Sequence, residues 1–559
     1  MKRFSRSLSL ALALFAARLG STARAADSTP AVLLPPMLVE ESVSGVPWLY
    51  ANVGGTEFLS RCSEGTTRDL VEAWLTKLQL VEALVPGEFL ARMDVPAVFV
   101  LHSQDLQQTV SAEIQHELNE RDRDDHGARK TDVNIAPSMR LADRDMHASI
   151  AYVDEVRFDG ANLSVSPSHV RYLLNARVPE LPEWMTEGIE RTWRRADFVL
   201  NPITLGPLVW QNQNESDELD DDPSRPRALL PANELFATGI SRATENRHPR
   251  HAQTRAAEQE LFFRWAMVLS EATRAAFWKF AARAAEGPVT EEMFEACFGF
   301  DFAELRDRLS DYLPKAVVAE PSIDPGTLPD LPRFEVTRAT PNQIARVRGE
   351  WERLAIGHVQ RRLPQVLEPY IAQARRTLRR AYSAGDRDPR LLATMGLCEI
   401  DAGNPAGARE FLEPAVAGGV VRPRAYYELA RLRFAELRRD APDTKKFSAT
   451  ELAPIFQPLQ RTLTQAPLLP EVFTLLGDAW ARSTTAPSAP ELVGLEKGAR
   501  LFARHATVAY SIAHALAQHG RKTEAAAVLD ACVGDVTDEN TRTEIARLRA
   551  ELPAAPRRE

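Results

Sequence analysis

The chain has 559 residues, of which 44% are hydrophobic and 26% charged. That is enough apolar matter for a full core and too much length for one ordinary domain, so two or three are expected. The formal charge of −9 argues against sequence-independent nucleic-acid binding, which depends on Lys and Arg neutralising phosphates.

Residues 1–25 read as a secretory signal peptide. Lys2, Arg3 and Arg6 form a basic start, Leu8 to Ala17 an apolar stretch, and Ala23-Arg24-Ala25 a small-x-small cleavage site. The stretch is too short to span a bilayer stably, and no later run of about 18 apolar residues suggests a membrane span. No Cys follows the cleavage site to carry a lipid. Cleavage removes five cations and no acid, which takes the charge from −9 to −14. The expected location is therefore periplasmic or secreted. Cys62, Cys297, Cys398 and Cys532 are far apart and match no zinc-ribbon or CxxC spacing. Each is read as a small buried hydrophobe, and pairing in an oxidising compartment stays open.

Residues 26–318 have a mixed α/β pattern. A strand and a helix are predicted within Val95 to Glu113, the strand at Ala97 to His102, and a further strand at Ala148 to Val153. His116-Glu117-Leu118-Asn119-Glu120 opens like a zinc motif, but its fifth residue is Glu and it stands well upstream of the segments that follow. Ser166 suits an N-cap and Pro167 a first helical turn, so a helix is predicted over Ser168 to Leu174, with Val170, Leu173 and Leu174 as its buried stripe. Next comes Leu181 to Glu190, which contains Trp184-Met185-Thr186-Glu187-Gly188. Trp184 and Trp193 are read as core or cleft-lining aromatics. Asp217 to Asp222 lacks the glycine and spacing of an EF-hand loop and reads as a solvated acidic insertion. His248-Pro-Arg-His251 lacks a nearby acidic ligand. No Gly-rich phosphate loop and no Gly-x-Ser-x-Gly elbow occurs.

Composition breaks most sharply between Ala319 and Pro332, where four prolines and a glycine fall within fourteen residues. Residues 319–341 are therefore read as a Pro-rich linker. Residues 342–553 are helical in pattern, with 554–559 as a tail. Within them Leu392, Gly396, Ala408, Leu412 and Ala415 recur as large, small, small, large and small positions of a 34-residue unit that starts at Pro389. A second copy starts near Ala506 with Ala513, Ala525, Leu529 and Cys532. Pro423 and Pro470 open further units split by insertions.

Trp184-x-x-Glu187-Gly188, together with the order strand, helix, strand, helix before it, resembles the gluzincin-type metallopeptidases. Within them it is most similar to bacterial peptidase-MA-like domains of uncharacterised function. The resemblance covers roughly residues 55–313 and extends to the Glu258 to Leu269 helix and the Phe294 to Leu305 segment. It implies an α+β zincin-like N-terminal domain in which Glu187 is the third zinc ligand. In the same register the first His of His-Glu-x-x-His is replaced by Pro167, the general-base Glu by Ser168 and the second His by Arg171. Proline has no donor atom, serine is no carboxylate base, and arginine carries a permanent positive charge. One carboxylate does not hold a catalytic zinc. No metal, cofactor or catalytic residue is therefore expected, and Arg171 is expected to pair with Glu187. His169, at a non-ligand position of that helix, is read as a solvent-facing or hydrogen-bonded structural histidine.

The 342–553 region resembles the tetratricopeptide repeat family, which implies an all-α helical-repeat domain with a groove for a peptide or partner protein. The expectation is an exported, non-catalytic binding or scaffold protein, with its partner in the repeat groove or the vestigial cleft. The alternatives are an active zinc metallohydrolase that recruits His169, Glu187 and a further ligand such as His147, or an N-terminal half that serves as a structural platform for an assembly built on the repeats.

Overall fold

The computed structural model describes residues 32–37, 47–103, 133–136, 138–158, 160, 167–197, 203–210, 229–237, 249–442, 444–532 and 539–553. The signal-peptide segment, His116 to Glu120, Ser166, Asp217 to Asp222, His248 and the tail lie outside them.

The chain opens with β1 (Val32–Leu34) and then a hairpin of β2 (Leu49–Val53) and β3 (Thr56–Ser60). Its turn is Gly54-Gly55, both at positive φ (57° and 69°), a conformation glycine adopts without a Cβ clash. Ser63 caps α1 (Glu64–Leu84) by accepting from Thr66 N. This helix crosses over to β4 (Ala97–His102), which runs parallel to β3. β5 (Val133–Ile135) pairs with β1, and β6 (Ser138–Ala142) pairs antiparallel with β7 (His147–Tyr152). The expected strand at Ala148 to Val153 is thus displaced by one residue.

The α2 helix (Pro167–Asn175) and α3 (Glu183–Arg195) follow. Then come β8 (Ala196–Asp197), β9 (Ile203–Leu205), the short α4 (Ala232–Leu235) and α5 (Pro249–Leu269). α6 (Glu271–Glu286), α7 (Glu291–Phe298) and α8 (Phe302–Ala316) complete the region. Within 319–341, β10 (Ser322–Ile323) pairs with β9 and β11 (Thr337–Arg338) pairs with β2. Gln79 also donates to Pro329 O at 2.9 Å. The segment read as a linker is therefore tied to two of the three sheets. Proline withholds N–H groups from long ladders, which accounts for strands of two residues.

The main sheet has the order β11-β2-β3-β4-β7-β6, and both of its faces are covered. Phe99 and Leu101 of β4 pack under α1 with Phe58 and Trp74. The alternate residues Val98 and Val100 join a second core with Val347, Trp351 and Leu354. These three belong to α9 (Pro341–Arg362), the first helix of the C-terminal region, which starts with a Thr340/Gln343 capping box. The pleat sends alternate side chains to opposite faces, so one strand serves both halves of the molecule.

The helical region continues with α10 (Leu367–Ser383), α11 (Pro389–Asp401), α12 (Pro405–Ala417), α13 (Pro423–Arg438) and α14 (Ala449–Thr462). α15 (Pro470–Ala481), α16 (Ala489–Leu501), α17 (Ala506–Gln518), α18 (Lys522–Asp530) and α19 (Glu539–Glu551) end it. Proline opens α11, α12, α13 and α15, where its missing N–H costs no intrahelical bond. A Cβ added at Gly396 of α11 would lie 2.6 Å from Leu412 Cγ of α12. Ala408, Leu412 and Ala415 are fully buried, as are Ala513 and Ala525 of α17 and α18. Small residues thus let these helices approach while large ones fill the space between them. Cys62 and Cys398 are buried, whereas Cys297 and Cys532 are only half-buried. Among the described residues no helix is long and apolar enough to cross a membrane.

Buried charge joins the two halves at the β6–β7 turn. Asp143 Oδ2 accepts from Arg353 Nη2 of α9 at 2.6 Å and from Arg424 Nη1 of α13 at 2.8 Å. Arg353 also donates to Asp401 at 2.8 Å and to Glu350 at 2.9 Å. Burial alone would raise the Asp143 pKa, but the surrounding guanidinium groups of Arg353, Arg424 and Arg422 hold it well below the usual carboxylate range. On β3, buried Glu57 is held by Arg346 and Arg390 from the helical half.

Candidate functional site

The expected site lies where α2 packs on α3. Pro167 and Ser168 form the first turn of α2, and Arg171 sits one turn on. A Cβ at Gly188 would lie 2.6 Å from Gln259 O, so α3 and α5 approach at a position only glycine fits. Trp184 is buried among Phe236, Phe262, Phe277 and Phe280, and Trp193 is also buried. Both tryptophans belong to the core rather than to a cleft wall. Val170 and Leu174 are fully buried as the pattern predicts, while Leu173 is half-buried because that side of α2 is only partly covered.

Arg171 reaches from α2 to two carboxylates of α3. Its Nη1 lies 3.2 Å from Glu187 Oε2 and 2.6 Å from Glu190 Oε2. Burial disfavours the charged guanidinium, but Glu190 and Glu187 outweigh that and raise its pKa. Glu190 is the shorter contact and the more buried partner. Sequence reasoning missed it, although it stands one helical turn beyond Glu187 on the same face. Arg194 closes on the other oxygen of Glu190 at 2.7 Å. Arg191 links Glu187 at 3.9 Å to the fully buried Glu260 at 3.3 Å, which Arg195 and Arg264 also contact at 3.1 and 3.0 Å.

This arrangement does not fit a zinc ion. Zinc needs three side-chain donors and a position for water. Here the Glu187 carboxylate faces the Arg171 guanidinium, and like charge excludes a cation from its side. Among the described residues no group of three or more His, Cys, Asp or Glu side chains is placed to hold a metal.

No model of a known protein family matches the chain, and a search of curated proteins finds no match either.

His169 differs from expectation. It is neither solvent-facing nor hydrogen-bonded: it is 3% exposed, and neither ring nitrogen has a partner. One turn of α2 carries Arg171 towards α3 and turns His169 towards the sheet. There its ring centroid lies 4.5 Å from that of His147 and 5.4 Å from that of Trp74. Burial and the neighbouring Arg140 lower the His147 pKa to about 3, so that imidazole is neutral. The structure thus brings His147 and His169 together, while Glu187 is engaged by Arg171.

Elsewhere, His251 lies 3.1 Å from Glu234, an acidic neighbour that sequence reasoning did not place. In the helical half, α12, α13 and α14 border an open groove of about 580 Å³ lined by Arg409, Arg433, Glu436, Leu437, Ile455 and Gln457, among others. Its charges are internally paired, with Arg409 at 2.8 Å from Glu413 and 2.5 Å from Glu436.

Proposed function

We propose that this chain is an exported, non-catalytic protein that binds a peptide or protein segment, built on an inactivated gluzincin-like domain and a tetratricopeptide-like helical array. The observation that carries this reading is the Arg171 guanidinium held between Glu187 and Glu190, 3.2 and 2.6 Å from their nearest oxygens. A fixed cation has taken the place of a divalent one, and with Pro167 and Ser168 in the positions of ligand and base, no group remains to activate water. The binding half of the reading rests on the groove beside α14 and on paired helices of the kind that present extended surfaces to partners.

The test uses the full chain without its first 25 residues. After incubation with zinc and gel filtration, metal content and casein hydrolysis are measured, and partners are captured from an extract of the exporting compartment. The expected result is no retained zinc, no hydrolysis, and a discrete partner whose capture is weakened by Leu437→Asp in the groove. Retention of one zinc per chain, with hydrolysis abolished by Glu187→Gln, would establish the metallohydrolase instead.

A further inference from the structure

The sheet half lies against one side of the helical array. Arg144 Nε of the β6–β7 turn is 2.9 Å from Glu471 of α15, and its guanidinium lies 5.2 Å from the centre of the Tyr427 ring of α13. Arg424 of α13 donates its backbone N–H to Asp145 at 2.7 Å. The chain thus fills that side of the array itself, and a partner has to approach from another. On α10 the outward stripe carries Arg376, Arg379 and Arg380, all exposed. Just beyond the helix, exposed Arg387 adds a fourth cation, its guanidinium 3.7 Å from the centre of the Tyr382 ring.

This stripe is an exception in a chain of formal charge −9. Arg376 stands three and four positions before Arg379 and Arg380, the spacings at which like charges on a helix repel and destabilise it. The helix dipole favours a cation in the last turn, which accounts for Arg380 but not for Arg376. Among the described residues no carboxylate lies within ion-pair distance of Arg376 or Arg379. Glu399 of α11 feels the charge of Arg379, but Arg375 already holds it with hydrogen bonds of 3.0 and 2.6 Å. Arg387 donates to the carbonyl oxygens of Tyr382 and Asp386 at 2.6 and 2.7 Å, which position it without cancelling its charge.

We propose that this stripe, Arg376, Arg379, Arg380 and Arg387, docks a short acidic segment of a partner protein. Every cation in it is arginine, whose planar fork takes a carboxylate in two parallel hydrogen bonds. Arg376 and Arg380 are about 6 Å apart along the helix axis, close to the spacing of carboxylates one turn apart on a helix or two residues apart on a strand. A lipid surface fits less well. A helix that lies on a membrane buries apolar side chains in it, and none of the exposed large apolar side chains among the described residues belongs to α10. The acidic remainder of the chain repels an extended polyanion such as nucleic acid, while a short segment meets the stripe alone. The surface goes beyond the groove beside α14, which lies on other helices.

The test follows fluorescein-labelled octaglutamate by anisotropy as the full chain without its first 25 residues is added. Binding is expected at low ionic strength and should weaken steeply as salt is raised. The double variant Arg376→Gln/Arg379→Gln should bind at least about fivefold more weakly. It should also melt no lower than the parent, since it removes repulsion rather than support. Leu437→Asp in the groove, and Arg361→Gln/Arg362→Gln at the exposed C-terminal end of α9, should leave the affinity unchanged. Absence of octaglutamate binding, or equal affinity in parent and double variant, overturns the proposal. So does a lower melting midpoint in the double variant, or tighter stripe-dependent binding to phosphatidylglycerol vesicles or duplex DNA than to octaglutamate. Capture at the groove is read separately through Leu437→Asp, so either surface can fail without the other.

Discussion

Arg353 on α9 and Asp143 in the β6–β7 turn are 210 positions apart in the chain, yet Arg353 Nη2 meets Asp143 Oδ2 at 2.6 Å. Removing one partner of a buried ion pair leaves the other uncompensated and costs about 3–5 kcal/mol. Arg353 keeps Asp401 and Glu350, so Asp143→Asn should lower the unfolding free energy by less than that, about 1–3 kcal/mol, as read from urea titrations followed by circular dichroism. A loss below about 1 kcal/mol, the worth of an ordinary exposed pair, would mean that the turn is held by something else.

A second junction is sensitive to pH. His505, just before α17, lies 3.1 Å from Glu180, which precedes α3. Burial disfavours the imidazolium, but Glu180, with Glu471 further off, outweighs that and raises the His505 pKa above its ordinary value of 6.5. A histidine whose folded pKa is raised contributes stability that is complete below the unfolded value and is lost as pH rises through the folded one. Urea titrations at pH 6 and pH 8 should therefore show a decline that Glu180→Gln reduces. An equal decline in the variant would remove His505 as its source.

The register that sets Pro167, Ser168 and Arg171 against His-Glu-x-x-His can be tested by restoration. The triple variant Pro167→His, Ser168→Glu and Arg171→His should retain about one zinc per chain, using Glu187 as the third protein ligand. Elemental analysis after exhaustive dialysis reads the outcome. A folded variant without zinc shows that α2 does not present these positions towards Glu187.

The close approach of α3 to α5 gives a packing test. Gly188→Ala would bring a Cβ to 2.6 Å from the backbone oxygen of Gln259, which cannot rotate away. Overpacking of this kind costs about 1–3 kcal/mol, visible as a lower midpoint in calorimetry. An unchanged midpoint would mean that the two helices separate freely.

Local features were legible in the sequence. Pro167 marks a helix start because its ring suits a first turn, and Pro389, Pro423 and Pro470 do the same in the helical half. The small residues Gly396 and Ala408 signalled a helix pair because close approach needs them. Nonlocal features were not. β11 is two residues in a proline-rich stretch, and its pairing with β2 depends on chain some 290 positions away. Nothing around Trp351 says that it will cover the β4 face opposite α1, since a helix stripe reads the same against a sheet as against another helix. The Arg171 and Glu187 positions were readable from register, whereas His147 and His169 meet only because β7 and α2 do.

The placement of Val98 and Val100 against Val347 and Trp351 has a practical consequence for anyone dividing the protein. A cut in the proline-rich stretch would strip the sheet of one entire cover and leave the helical array with a naked greasy flank. Neither fragment would be a faithful miniature of its half. A displacement of α9 would be felt at once by the strands beneath it, because they share one core.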